Sequence, residues 1–163
     1  FFFFYGKIKI YKEEIMEKHM QMALDLAKKA VENGNEPFGA ILVKDNEVVA
    51  TSENQITTLS DPTHHAELGL IREFCSKNNI MDLSDYTMYT SCEPCFMCSG
   101  SMVWSNLGHM VCSARSRDLN EILGEPLVDS SDIVFQNSHY QPKVTKMILH
   151  EEGVKILKDY FGK

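Results

Sequence analysis

Three cysteines at three-residue steps, Cys92, Cys95 and Cys98 in CEPCFMC, are the residues of this chain that most plainly allow chemistry. Thiolates three residues apart in the first turns of a helix lie on one face and can share a metal ion. Pro94 suits the first helical position, which selects Cys95 and Cys98 and leaves Cys92 on the strand-to-helix turn. The positive end of that helix favours both thiolates. A closed structural zinc site takes four protein ligands, and the chain has no second CxxC pair to close one. It does have His65 upstream, in PTHHAE. One imidazole and two thiolates leave a position open for water, as in a catalytic zinc site. Glu67, two residues beyond His65, is a carboxylate that could carry a proton from that water to a leaving group. Side chains two apart on a helix diverge, but at its very first turn the two can still converge beyond the helix end.

The elements that would position these residues follow from pattern. EEIMEKHMQMALDLAKKAVENG carries Ile15, Met22, Leu26 and Ala30 at helical spacing and stops at Asn33-Gly34. FGAILVKDNEVVATSEN reads as a β-hairpin turning at Asp45-Asn46. Asp61 as cap and Pro62 as first residue open a helix that carries HHAE. Tyr86–Thr90 and Leu107–Ser113 are strands on either side of the cysteine helix. Residues 115–141 mix short helices with loops, Lys143–His150 alternates as a last strand, and GVKILKDYF closes as a helix. The expected fold is a three-layer α/β/α sandwich around a mixed sheet of about five strands. Residues 13–163 form one domain, and FFFFYGKIKIYK ahead of it is an edge strand, a partner-binding arm or an appended remnant.

Composition narrows the classes. The chain of 163 residues carries a net charge of −7, a poor prior for a nucleic-acid binder. No apolar run approaches the ~20 residues of a membrane-spanning helix. Five cysteines, three of them within seven residues, fit a reducing cytoplasm better than a disulfide framework.

HAE at 65–67 followed by PCxxC at 94–98 resembles the zinc-dependent cytidine/deoxycytidylate deaminase superfamily, whose signature is H-x-E and then P-C-x-x-C. PFGAILVKD, NQITTLSDPTHHAE and YTSCEPCFMCSGSMVW are similar, within it, to bacterial guanine deaminases. The resemblance implies one zinc per chain on His65, Cys95 and Cys98, with Glu67 as proton shuttle. It also implies hydrolysis of guanine to xanthine and ammonia. The Ala66 N–H and Asn54 would then bind the base, with Phe38 and Trp104 packed on its ring. His64 has no assigned role. A homodimer is implied as well, since neighbouring chains often complete these pockets.

Asp118, Glu125 and Asp129 stay open as the acid that reads guanine's exocyclic amine, and Tyr160 as the residue that closes the site. Two alternatives share the motifs: a tRNA adenosine deaminase, and a cytosine or amino-triazine deaminase. A thiol switch or structural zinc module is the remaining reading, and it leaves HAE and Asn54 without purpose.

Overall fold

The computed structural model describes residues 2–162. Helix α1 (Phe2–Glu32) leads into the hairpin β1 (Gly39–Lys44) and β2 (Glu47–Glu53), then α2 (Ala66–Asn78). Strand β3 (Thr87–Cys92), α3 (Phe96–Trp104) and β4 (His109–Ala114) follow. Two short helices, α4 (Ser116–Leu123) and α5 (Ser130–Gln136), precede β5 (Lys143–Thr145) and α6 (His150–Phe161). The sheet order is β2-β1-β3-β4-β5. Strand β1 runs antiparallel to β2 and β3, while β3, β4 and β5 are mutually parallel. This is the expected mixed five-stranded sheet between helical layers.

Alternation along the strands divides the core. Ala40, Leu42, Met88, Met110 and Cys112 face α2, α3 and α5, where they meet Leu70, Met102, Val103 and Phe135. Ile41, Val43, Tyr89 and Val111 point the other way, onto Met20, Ala23 and Leu24 of α1. Four of the buried large side chains are methionines (Met20, Met88, Met102 and Met110), which fill uneven gaps. Asp45 and Asn46 turn the β1–β2 hairpin with φ of 50° and 63°, the left-handed pair a two-residue turn requires.

The structure corrects several sequence-based expectations. Residues 2–12 are helical, continuous with the rest of α1, and not an edge strand. The buried face of α1 is Met20, Ala23, Leu24, Ala27 and Ala30, whereas Met22 is exposed. Large apolar residues attract a pattern search, but close approach selects the alanines. A Cβ on Gly39 would stand 2.5 Å from the Ala23 carbonyl oxygen, so helix and strand touch backbone to backbone. The last strand stops at Thr145, because Met147 and Leu149 take positive φ and turn the chain into α6.

Candidate active site

Helices α2 and α3 both begin where the sheet ends. Register places Ala40 opposite Thr90, so Phe38 at the foot of β1 stands beside the carboxyl end of β3. Asn54, just beyond β2, donates its backbone N–H to the Phe38 oxygen at 2.9 Å. One end of the sheet therefore gathers Phe38, Asn54, Cys92 and both helix starts.

Those starts differ from the expectation by a few residues, and the difference matters. Pro94 lies outside α3: Cys95 is the N-cap and Cys98 the third helical residue. Asp61 does not cap α2 but closes a turn onto the Thr63 N–H and hydroxyl; His65 is the cap. An N-cap side chain ordinarily folds back onto the free amides of its helix. Neither His65 nor Cys95 does so, and their side chains face each other instead, Sγ to Nδ1 3.6 Å. Candidate ligand atoms of His65, Cys95 and Cys98 all lie within 4.8 Å of one another. Zinc with ~2.0–2.3 Å bonds to nitrogen and sulfur fits such a donor set.

Electrostatics within the trio match that reading. The Cys98 thiol hydrogen-bonds Cys95 and draws it down to about 4 against burial, with His65 adding to the effect. The same bond and then burial push Cys98 up, so the pair shares one proton. A bound metal would displace that proton and hold both sulfurs as thiolates. His65 is raised, first by Cys95, with Glu67 and Glu36 contributing. Cys92 stands apart, packed with Ala114 and Leu157, and burial pushes its thiol well up. His64 turns the other way, its Nε2 3.7 Å from the Glu73 carboxylate.

Glu67 is the second residue of α2 and only 5% exposed. Its Oε1 accepts a 2.7 Å hydrogen bond from the Thr90 hydroxyl. Burial raises its carboxyl above the ordinary value, more than that bond lowers it. Glu67 and His65 open onto a cavity of about 200 Å³ also lined by Glu36, Phe38, Cys92, Glu93, Cys95, Leu119, Leu123 and Phe161. A shallower groove of about 340 Å³, bordered by Phe96, Asn120 and Glu125, shares the Cys95 wall.

The other expected site residues fare unequally. Ala66 is the buried first residue of α2, where the backbone N–H has no helical partner. Asn54 is fully buried; its Oδ1 accepts from the Ile56 N–H, and its Nδ2 has no partner among the described residues. Phe38 lines the cavity and packs against Phe161, ring centroids 6.2 Å apart. Trp104 does not reach it: it ends α3 at 81% exposed, edge-on to His139. Asp118 is held by Arg115 and His150, and Asp129 by Arg117, which leaves Glu125 of the three open acids facing the groove. Tyr160 lines a different surface depression with Lys28 and Val31. Its neighbour Phe161 is the C-terminal residue at the site. Glu36, Leu119 and Leu123 were not singled out from the sequence. Glu36 carries one signal, a Glu-Pro step ahead of Phe38 that mirrors Glu93-Pro94.

Mixed sheet, paired helix starts and a His-Cys-Cys cluster beside a buried glutamate define a zinc-type deaminase. A family description, the cytidine and deoxycytidylate deaminase zinc-binding region, matches residues 13–114, and the chain belongs to that family. The family's members are hydrolases acting on C–N bonds. The guanine deaminase of Bacillus subtilis (strain 168) is 40% identical over 106 residues, 64% of this chain and 68% of that one. A tRNA-specific adenosine deaminase of Aquifex aeolicus (strain VF5) is 36% identical over 153 residues, 90% of this chain and 94% of that one. A solved structure from work on A-to-I editing by tRNA:A34 deaminases superposes with a TM-score of 0.73 at 28% identity, covering 85% of this chain and 98% of that one. No described helix is long and apolar enough to cross a membrane.

Proposed function

We propose that the chain is a hydrolytic deaminase of a free nucleobase, with guanine the substrate and xanthine and ammonia the products. The observation that carries this reading is the cavity. At about 200 Å³ it suits a single flat ring system, its walls are Phe38, Leu119, Leu123 and Phe161, and among the described residues no lysine or arginine lines it. An RNA substrate brings phosphates, and affinity for them rests on basic side chains. The net charge of −7 points the same way. Guanine is preferred among bases because of the Bacillus subtilis relative.

In this reading His65, Cys95 and Cys98 hold zinc. When bound, the metal supplies Lewis acidity that lowers the pKa of water towards ~7. Glu67 carries the proton, first to the ring nitrogen and then to the departing amine. A carboxyl raised by burial is suited to both taking and giving it. Thr90 fixes one carboxylate oxygen and leaves the other without a side-chain partner among the described residues. The Ala66 N–H and Asn54 Nδ2 are donors for the base's polar edge, and Phe38 packs on its ring. Trp104 has no such part within one chain. A homodimer and a cytoplasmic setting belong to the same proposal, and light scattering checks the first.

One observation favours a tRNA adenosine deaminase: the Aquifex aeolicus relative matches nine-tenths of this chain. The groove beside the cavity could take a longer ligand. Ammonia release by zinc-loaded protein on guanine, adenine, cytosine, guanosine, cytidine and an amino-triazine separates the readings. Guanine leading the panel supports the proposal; silence on every member, with turnover of a tRNA anticodon stem-loop, replaces it.

A further inference from the structure

Three glutamates line the cavity, and two of them are engaged. Glu67 is held by Thr90. Glu93 accepts from the Ser116 and Ser131 amides, the Ser131 hydroxyl and Lys146. Glu36 is half-buried in the same wall, and no hydrogen bond or ion pair reaches its carboxylate from the described residues. Its backbone is fixed nonetheless. Asn35 before it is buried and ties the Thr57 and Thr58 amides through its side chain. Pro37 after it restricts its conformation, and its own carbonyl accepts the Phe38 N–H at 2.8 Å. A rigid stretch of chain thus presents a free carboxylate to the space where a ring would lie beside Phe38.

A carboxylate accepts hydrogen bonds and donates none. It matches the N–H groups of a neutral base, and a charge-assisted bond of this kind is stronger than a neutral one. It repels phosphate. A free base also carries a ring N–H that the glycosidic bond of a nucleoside replaces.

We propose that Glu36 is a specificity-determining residue, accepting a ring N–H of the bound base and so selecting bases over their glycosylated or phosphorylated forms. This deepens the free-base reading and rests on it.

The test is a cycle on zinc-loaded protein: kcat/KM for guanine, 1-methylguanine and 9-methylguanine with wild type and Glu36→Gln, and zinc content for both proteins. For guanine, Glu36→Gln should lower kcat/KM about 10- to 100-fold, mainly through KM, with zinc content unchanged. 9-Methylguanine, which lacks the N–H that a glycosidic bond replaces, should be poor for wild type and insensitive to Glu36→Gln, while 1-methylguanine keeps the loss seen with guanine. The reverse pattern overturns the selection against glycosylated forms. A variant that matches wild type on guanine overturns the role of Glu36 alone. So does an equal loss on all three bases, or loss of zinc. Wild type that releases no ammonia from any free base overturns the free-base reading, and this inference with it.

Discussion

The starts of α2 and α3 and the start of α4 solve the same problem in opposite ways. At α4, the Asp118 carboxylate accepts from the Arg115 backbone N–H and guanidinium, the Ser116 N–H goes to Glu93, and His150 reaches the Asp118 carboxylate at 2.7 Å. Nearby, Glu93 draws Ser116, Ser131 and Lys146 into one knot between α4, α5 and the loop after β5. Every charge there has partners, and both carboxyls are held below their ordinary values. At α2 and α3 the caps are His65 and Cys95, neither side chain caps, and Glu67 has one hydroxyl for company. Satisfied helix ends hold the fold together, and the unsatisfied ones face the cavity, leaving free donors and thiols where chemistry needs them.

Substitutions can break that contrast from either side. Cys95→Ala or Cys98→Ala should lose zinc and all measurable ammonia release, while Cys92→Ala keeps about one zinc per chain; metal analysis of the three variants checks it. Zinc loss in Cys92→Ala would mean that the pairing is misassigned. On the satisfied side, Glu93→Ala should cost about 3–5 kcal/mol of unfolding free energy, since Lys146 is then left part-buried against one fewer carboxylate. Chemical denaturation reads this. Gly39→Ala should cost about 1–3 kcal/mol by pushing α1 off β1.

The smallest effect concerns pH. Burial opposes ionisation of Asp118, but the bonds from Arg115 and His150 outweigh it and hold its carboxyl far below the ordinary 3.8. Its native pKa is depressed, so its contribution is complete above the unfolded value and fades as pH falls towards the native one. Asp118→Asn should therefore lose stability relative to wild type at pH 6. The gap should narrow on acidification below about 4. A constant gap across that range would remove Asp118 from the knot's electrostatics.

Much of this was legible in the sequence because the relevant signals are local. HAE, PCxxC, the Asp45-Asn46 turn and strand alternation each depend on neighbours within a few residues. Features that depend on tertiary approach were not. The alanine face of α1 comes from backbone contact with Gly39, which apolar size does not register. Pro94 reads equally well one place inside or outside a helix start, and only the bend after β3 decides it. Glu36 and Phe161 meet at the cavity from positions 125 residues apart, so no spacing rule could pair them. Trp104 was carried to the ring by resemblance; within this chain it ends α3 at the surface, edge-on to His139.

The central claim is that the open helix ends hold a metal while Glu67 moves the proton. It is tested most directly by zinc content and ammonia release measured together on Glu67→Gln. Retention of about one zinc per chain, with turnover down by about 10²–10⁴-fold, is the expected result. Turnover near that of wild type at full zinc occupancy would contradict it.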